Sequence, residues 1–338
     1  MSENSQDIIL DVKGLKKYFP LSTGGVFRKV SGYIKAVDDV SFYVRRGETV
    51  GVVGESGCGK TTLGRCVSKL YNATGGEINV HLKGGTVLDV NNLDKEDRAT
   101  FRKSVQMIFQ DPYASLNPRM TVLNIVGESL LVNHVAKGTE LENIVGEIVQ
   151  RVGLKVEHLR RYPHSFSGGQ RQRIGIARAL VINPKLIVAD EPVSALDVSI
   201  QAQILNQLKD LAQDFGLSYM FISHNMSVIR YMSDRIMVMY AGKLVEVAPK
   251  EVLLNQPRHP YTELLLSAVP RVSRRGTYRM VTPGEPPDLL NLPKGCVFNP
   301  RCKFAKDVCY EVEPEMRQVG PDHFVRCHRY DEIKLKGI

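Results

Sequence analysis

The stretch Gly54–Thr61 reads GESGCGKT, and it decides the fold of this chain. It matches the P-loop pattern in full, a glycine-rich turn that ends in Gly-Lys-Thr. The apolar run Thr49–Val53 precedes it as a buried strand would, and the residues from about Lys60 have the pattern of a helix. Successive amides of such a turn can face one phosphate group, and the positive end of the helix adds to the attraction. The stretch therefore predicts an α/β fold with a phosphate-binding site.

The chemistry of this loop predicts a nucleoside triphosphate as its ligand. Lys60 can neutralise the β- and γ-phosphates, and the Thr61 hydroxyl can bind Mg²⁺. We interpret Cys58, inside the loop, as a small filler rather than a reactive thiol. The predicted nucleotide-binding residues of this stretch are Gly54, Glu55, Ser56, Gly57, Cys58, Gly59, Lys60, Thr61 and Thr62.

A P-loop requires an acidic residue on a second strand to hold Mg²⁺. Leu186–Ala189 is a short apolar run, and Asp190 and Glu191 follow it directly, where a strand would emerge. We predict that Asp190 binds Mg²⁺ at the nucleotide and that Glu191 orients or deprotonates the attacking water.

Compact apolar runs alternate with helical stretches along the rest of the chain. Leu186–Ala189 and Tyr219–Ile222 each follow a helical pattern, which indicates a parallel, three-layer α/β core. A helical insertion without a strong strand is predicted at about 112–180. From Pro257 onward prolines accumulate and the periodicity fades. We expect a nucleotide-binding domain in residues 1–255 and a small irregular extension in residues 256–338.

Composition and charge exclude several classes of protein. The 338 residues are 43% hydrophobic and 24% charged, as in ordinary globular proteins, which excludes disorder throughout. No run approaches the ~18 consecutive apolar residues that span a bilayer. The polar, acidic start lacks the features of a signal peptide, which favours a cytoplasmic protein. The net charge of +9 fits an anionic partner, which leaves a nucleotide, a nucleic acid or a membrane surface open.

Four of the six cysteines lie in the last 43 residues, and a reducing cytoplasm disfavours disulfides between them. Their spacing is Cys296-x5-Cys302-x6-Cys309-x17-Cys327. Zinc ribbons normally have shorter pairs, with two to four residues between ligands, and four thiolates on irregular loops also suit an iron–sulfur cluster. The cysteines therefore predict a metal site. The spacing alone leaves zinc and an iron–sulfur cluster equally open, with unligated thiols as a weaker third alternative.

A third motif connects these patterns to a known family. Phe166–Arg173 reads FSGGQRQR and begins a helix predicted through Leu180. Together with the two phosphate motifs it resembles the ATP-binding subunits of ABC transporters, whose signature reads LSGGQ; Phe166 replaces the leucine. Ser167 and the glycine amides at the helix start would form a second anion site. The resemblance implies a head-to-tail dimer in which the signature of one subunit closes on the nucleotide of the other. The residues implied in contacts across this dimer are Ser167, Gly168, Gly169, Gln170 and, in the loop that crosses between subunits, Asp197.

The remaining motifs of that family follow in order. Gln110 resembles the glutamine that couples Mg²⁺ and the attacking water to the helical insertion, and His224 resembles the histidine that contacts the γ-phosphate. Phe19 aligns with the aromatic residue that stacks on adenine, although its neighbour Tyr18 could serve instead. The resemblance thus implies ATP as nucleotide, with Mg²⁺ bound by Thr61 and Gln110. The implied catalytic residues are Glu191, His224 and Gln110.

The same resemblance implies the whole architecture. It consists of a P-loop NTPase (RecA-like) core, an N-terminal antiparallel β subdomain, a helical insertion subdomain and a small, irregular, cysteine-rich C-terminal appendage. In this reading residues 1–255 are the ABC ATPase domain and residues 256–338 are an extension of the oligopeptide-transporter type.

Wider stretches narrow the resemblance to the importer ATPases for oligopeptides, dipeptides and nickel, and within them to the F-type partner, which pairs with a D-type paralogue. These stretches are Gln110–Pro118, Glu191–Gln203, Arg258–Thr262, Pro283–Pro287, Gly295–Phe298 and Arg301-Cys302. The resemblance implies two membrane permease subunits, an extracytoplasmic substrate-binding protein and a peripheral position on the cytoplasmic face of the inner membrane. It also favours a 4Fe-4S cluster over zinc at Cys296, Cys302, Cys309 and Cys327.

Three functions compete for this chain. We predict an ATP-driven importer subunit for di- and oligopeptides, with nickel chelates, glutathione or short sugars as open alternatives. A soluble ABC protein that acts on nucleic acid or ribosomes is the second. Lys60 and Ser167 are only 107 positions apart, too close for the coiled coil or zinc modules of DNA-repair members, and the single P-loop differs from the two cassettes of ribosome-associated members. A redox enzyme is the third, and no second cofactor motif supports it. We therefore expect no nucleic-acid partner.

Overall fold

A computed structural model of the chain describes residues 7–23, 29–269, 284–285 and 287–338. Residues 1–6 and 24–28 of the predicted ATPase domain lie outside this set, as do residues 270–283 and Pro286 of the predicted extension. Two prolines of the tail motif, Pro283 and Pro286, are therefore outside the described residues.

Strands and helices alternate along the described chain. The strands are β1 Ile8–Thr23, β2 Lys29–Arg45, β3 Thr49–Val53, β4 Gly75–His81, β5 Val87–Asp89, β6 Val105–Ile108, β7 Leu186–Asp190, β8 Ser218–Ser223, β9 Arg235–Tyr240, β10 Lys243–Pro249, β11 Arg317–Gly320 and β12 His323–Val325. The helices are α1 Lys60–Val67, α2 Lys95–Ser104, α3 Val122–Val132, α4 Gly138–Arg151, α5 Gly168–Leu180, α6 Val198–Phe215, α7 Met226–Met232, α8 Lys250–Asn255, α9 Pro260–Ser267 and α10 Asp307–Glu311.

The chain divides into two units. One contains Val44–Glu48 and Asn79–Phe221, together with the described residues up to Leu10. The other contains Thr49–Ile78, the described part of Asp11–Tyr43 and the described residues from Ile222 to Ile338. The P-loop and the cysteine-rich extension therefore belong to the same unit.

The strand before the P-loop is fully buried and pairs with another strand of its unit. All five residues of β3 are buried, and β3 pairs in parallel with β9, with Val50 opposite Arg235 and Val53 opposite Val238. A continuous apolar strand of this kind is buried on both faces, as the sequence predicted. β9 continues into antiparallel β10, and in a separate sheet β1 lies between β2 and β4.

The extension is more regular than the sequence indicated. β12 pairs antiparallel with β10, with Glu246 opposite Val325, and β11 pairs antiparallel with β12. The extension thereby continues the sheet that contains β3. The sequence did not indicate these two strands, because strands of three and four residues are too short to produce a recognisable periodicity.

The first turn of the extension depends on a buried histidine. His259 is 1% exposed, and burial lowers its pKa to about 3, so the ring is neutral. Its Nδ1 accepts a hydrogen bond of 3.1 Å from the Tyr261 amide, which caps the start of α9. This cap fixes the direction in which Tyr261 leaves the helix.

The other unit contains the acidic strand and the signature helix. β6 pairs in parallel with β7, with Val105 opposite Leu186 and Ile108 opposite Ala189, and β8 is the neighbour of β7 on the other side. Between residues 112 and 180 the regular elements are α3, α4, α5 and two short 3₁₀ turns. Among the described helices of the chain, none is both long and apolar enough to cross a membrane.

Candidate nucleotide-binding site

The P-loop leaves no room for side chains where its sequence has glycine. A Cβ on Gly54 would lie 2.1 Å from the Met239 carbonyl oxygen, and one on Gly59 would lie 2.0 Å from the Ala36 carbonyl oxygen. Gly59 also has φ +107°, which disfavours any other residue there. Ser56 and Gly57, in contrast, are exposed. The loop is therefore packed on its inner side and open on its outer side, as a phosphate site requires.

Lys60 curls back over the loop. It is 5% exposed, and its ammonium donates to the carbonyl oxygens of Gly54 at 2.8 Å and Glu55 at 2.9 Å. Phosphate oxygens are stronger acceptors for an ammonium than neutral carbonyls are, so a nucleotide can compete for this group. Cys58 is also buried, and burial raises the pKa of its thiol. A buried, protonated thiol agrees with the interpretation of Cys58 as a filler.

Glu55 is held by two residues that the sequence analysis did not assign to the site. The Arg301 guanidinium donates two hydrogen bonds to its carboxylate, at 2.7 and 3.0 Å. The Tyr261 hydroxyl accepts a hydrogen bond of 2.8 Å from its backbone amide. Both residues occur in stretches that marked the subfamily, Arg301-Cys302 and Arg258–Thr262, but nothing in those stretches points to the P-loop.

The remaining predicted nucleotide-binding residues of this unit lie in α1 and β1. Thr61 and Thr62 are half-buried in the first turn of α1. The Phe19 ring makes an edge contact with Tyr71, with centroids 5.6 Å apart, and is half-buried. Tyr18, the alternative adenine-stacking residue, donates its hydroxyl to Asp38.

His224 follows β8 directly and is exposed. It precedes the cap of α7, where the Asn225 side chain accepts from the Ser227 amide at 2.9 Å. His224 therefore lies directly after a strand, as the sequence predicted.

In the other unit, the structure brings Gln110 and Glu191 together. The Gln110 amide donates a hydrogen bond of 3.1 Å to the Glu191 carboxylate. Asp190 ends β7 and is 2% exposed, whereas Glu191 is half-buried. Glu191 has φ +45°, an uncommon left-handed conformation for a residue with a side chain. A turned-out carboxylate that is oriented by an amide is suited to accept a proton from water.

The signature motif caps its own helix. The Ser167 amide donates to the Gln170 side chain at 3.0 Å, and the Gln170 amide donates to the Ser167 hydroxyl at 3.4 Å. This reciprocal capping box fixes the start of α5 at Gly168, where the sequence predicted it. Phe166 is buried, and its ring makes an edge contact with His158 at 5.3 Å, so it fills the place before the cap.

Gly169 and Asp197 occupy the start of neighbouring helices. A Cβ on Gly169 would lie 2.7 Å from the Cγ2 methyl of Ile200 in α6, so only glycine fits at this point. Asp197 is the residue before α6 and is exposed, and Val198 is 82% exposed. Of the residues implied in contacts across a dimer, Ser167 and Asp197 are thus exposed, whereas Gly168, Gly169 and Gln170 are half-buried.

Two arginines of α5 that the sequence analysis left aside contact the segment after Gln110. Arg171 lies over the Tyr113 ring at 4.0 Å, and Arg178 donates to the Ser115 carbonyl oxygen at 2.5 Å. Burial lowers the pKa of Arg178, but the guanidinium stays charged at neutral pH. These contacts attach the signature helix α5 to the segment that follows Gln110. The only feature of the sequence that could have indicated them is the number of arginines in this helix.

The predicted metal ligands of the extension converge on one cavity. The lining of this cavity includes all four predicted ligands, Cys296, Cys302, Cys309 and Cys327. Burial raises the pKa of the Cys296 thiol to about 11 and that of Cys327 to about 12, so these thiols are protonated when no cation is near. Among the described residues, however, no group of three or more His, Cys, Asp or Glu is placed to hold one metal ion. The donor chemistry fits a metal-bound group, whereas the geometry of a single-ion site is not present.

Comparisons with known proteins agree with this geometry. Residues 37–194 match the family model described as ABC transporter, and residues 245–309 match the model described as oligopeptide/dipeptide transporter, C-terminal region. The chain is 52% identical over 334 residues to the oligopeptide transport ATP-binding protein AppF of Bacillus subtilis, which covers 98% of this chain and 100% of that protein. The chain belongs to the ATP-binding proteins of the ABC transporter family.

Other ABC proteins extend the similarity. The dipeptide transport ATP-binding protein DppF of Escherichia coli is 45% identical over 330 residues, which covers 97% of this chain and 96% of DppF. A dimeric ATP-binding cassette solved in a post-hydrolysis state with ADP and Pi is 28% identical, with a TM-score of 0.61, and the match covers 72% of this chain and 99% of that one. These findings confirm the predicted P-loop NTPase fold. They also confirm the activity of this ABC ATPase, which is ATP hydrolysis coupled to transport.

Proposed function

We propose that this ABC ATPase is the ATP-binding and hydrolysing subunit of an importer that takes up di- and oligopeptides through separate permease subunits. The observation that carries the proposal is the similarity to an oligopeptide transport protein along its entire length, including the match of residues 245–309 to a C-terminal region of peptide transporters. Importers of nickel chelates, glutathione or short sugars remain the alternatives within the same class.

In this proposal each predicted residue has one role. Lys60 leaves its carbonyl partners and binds the β- and γ-phosphates of ATP, and Phe19 stacks on the adenine. Mg²⁺, for which Thr61, Gln110 and Asp190 provide suitable oxygen ligands, would neutralise phosphate charge when bound. Glu191, oriented by Gln110, takes the proton of the attacking water, and His224 contacts the γ-phosphate.

The exposed signature residues support a partner subunit. Ser167, which caps the start of α5, and Asp197 are exposed, so a second ATP-binding subunit can reach them. We propose a D-type paralogue as that subunit, two permease subunits and an extracytoplasmic substrate-binding protein as further partners, and a peripheral position on the cytoplasmic face of the inner membrane. The domain division at residues 255 and 256, with a helical subdomain at about 112–180, is part of the same proposal.

Affinity purification of the tagged chain from native membranes in mild detergent tests the assembly. Two permease proteins and a second ATPase in the purified complex support the importer, and peptides, nickel chelates, glutathione and sugars can then be tested for binding to the associated binding protein. Ribosomal or DNA-repair proteins in place of permeases contradict the proposal and favour a soluble ABC ATPase that acts on nucleic acid.

We also propose that the four cysteines hold a 4Fe-4S cluster, with zinc as the alternative. A single zinc ion needs all four thiolates at about 2.3 Å from one point. A cluster binds each thiolate to a different iron, which suits thiols that surround a shared cavity.

Metal and sulfide analysis of the chain purified without oxygen distinguishes these outcomes. Iron and acid-labile sulfide in equal amounts, lost together in the Cys309→Ser variant, support the cluster. Zinc alone favours the alternative, and the absence of both metals contradicts a metal site.

A further inference from the structure

Glu55, the residue after the first glycine of the P-loop, is hydrogen-bonded by three other residues. Lys60 bonds the carbonyl oxygen of Glu55, Tyr261 bonds its amide, and Arg301 bonds its carboxylate. Each partner comes from a different element: α1, α9 and the turn Asn299–Arg301 of the extension. Glu55 is thus the point at which the extension contacts the nucleotide-binding loop.

The contact with Arg301 has the geometry of a specific pair. The guanidinium uses two nitrogens on the two carboxylate oxygens, and the arginine side chain is 8% exposed against 28% for the glutamate. Arg301 also donates to the Tyr240 hydroxyl at 3.3 Å, and its guanidinium lies 5.9 Å from the centre of the Phe298 ring. A bidentate pair supported by aromatic neighbours holds the carboxylate in one orientation.

The charge of Glu55 makes this orientation important for ATP. A carboxylate in the P-loop repels the negatively charged triphosphate. Arg301 neutralises this carboxylate and holds it on the side of the extension. The exposed face of the loop, at Ser56 and Gly57, then presents backbone amides to an anion.

We propose that Arg301 is a positioning residue for the ATP site, which acts through Glu55 and makes the C-terminal extension a part of the nucleotide-binding machinery. The inference depends on ATP binding and not on the transported substrate, so it stands or falls separately from the peptide proposal. Arg301 touches no reacting atom; its effect is on the affinity for ATP.

A double-mutant cycle in the full-length chain tests the pair, with the Kd for Mg-ATP measured by titration and kcat measured by phosphate release. Arg301→Met is expected to raise the Kd and the KM for ATP about tenfold, with kcat at saturating ATP close to that of the wild type. In a Glu55→Gln background, which has no carboxylate to hold, the same substitution is expected to leave the Kd unchanged. Arg301→Lys keeps the charge but loses the second hydrogen bond, so it is expected to restore part of the affinity.

Arg329→Met is the matched control. Arg329 is an arginine of the same extension that bonds Glu332 and the Phe304 carbonyl oxygen, both at 2.8 Å and both within the extension. Its substitution is expected to leave the Kd for ATP unchanged. A wild-type Kd in Arg301→Met, or an equal rise with and without the Glu55 carboxylate, overturns the proposal. If Arg301→Met does not fold, Arg301→Lys in the two backgrounds gives the same decision.

Discussion

Two buried tyrosines give a matched test of how the P-loop is held. Tyr261 and Tyr219 are both 0% exposed, and burial raises the pKa of both phenols, so both are neutral near pH 7. The Tyr261 hydroxyl accepts from the Glu55 amide at 2.8 Å. The Tyr219 hydroxyl, in contrast, has no hydrogen-bond partner among the residues that the structure describes. The same substitution to phenylalanine should therefore have opposite effects.

Tyr261→Phe removes one hydrogen bond and leaves the amide of Glu55 without its acceptor. The expected loss in the free energy of unfolding is about 1–3 kcal/mol. Tyr219→Phe removes a buried hydroxyl without breaking a hydrogen bond, so the expected change is between zero and a gain of about 1 kcal/mol. Because both changes delete one hydroxyl oxygen from a fully buried side chain, the contributions of lost packing to the free energy of unfolding are closely similar.

Urea unfolding of the two variants and the wild type, without nucleotide, measures the difference. ATP titration of Tyr261→Phe supplies a second reading, since a loosened P-loop should bind ATP more weakly. Equal stability changes in the two variants would refute the reasoning, because they would show that the hydrogen bond to Glu55 contributes nothing to the fold.

Four further substitutions test the other unit. Gly169→Ala places a methyl group in contact with α6 and should lower the free energy of unfolding by about 1–3 kcal/mol. Gly175→Ala, in the same helix, places a methyl group that meets nothing within 4 Å and should raise the free energy of unfolding by about 0.5–1 kcal/mol. Thermal unfolding of both variants measures these changes. Glu191→Gln should retain ATP binding and abolish turnover, and unchanged phosphate release in that variant would remove Glu191 from its assigned role. Arg178→Met leaves the Ser115 carbonyl oxygen without a charged donor and should destabilise the chain by about 1–3 kcal/mol; an unchanged urea midpoint would show that this contact does not hold the signature helix.

Local sequence patterns predicted most of the fold. β3 and the start of α1 lie where the P-loop predicted them, because a buried strand, a glycine turn and a helix start are determined by neighbouring residues. α5 ends at Leu180 as predicted for the same reason. β1, in contrast, continues to Thr23, well past the predicted run at Ile8–Val12, because its second half is rich in lysine and includes a proline. Pairing between strands, not composition, maintains that half.

The parts of the site that sequence could not predict are those joined over long distances. Arg301 and Glu55 are 246 positions apart, and Tyr261 and Glu55 are 206 positions apart. Gln110 and Glu191, at 81 positions, could be placed together only through a resemblance to known proteins. No periodicity connects such residues, because only the folded chain brings them within hydrogen-bond distance.

The large sequence separation between Glu55 and its partners Tyr261 and Arg301 also has a consequence for biosynthesis. The P-loop leaves the ribosome early, but Tyr261 and Arg301 follow only after most of the chain has been made. β12, which continues the sheet of β3, is formed by residues even closer to the C-terminal end. Contacts of such high sequence separation slow folding, so the nucleotide site should mature only after Tyr261 and Arg301 have been synthesised. A chain that is released too early would then lack a properly held P-loop, although every residue of the GESGCGKT motif is present in it.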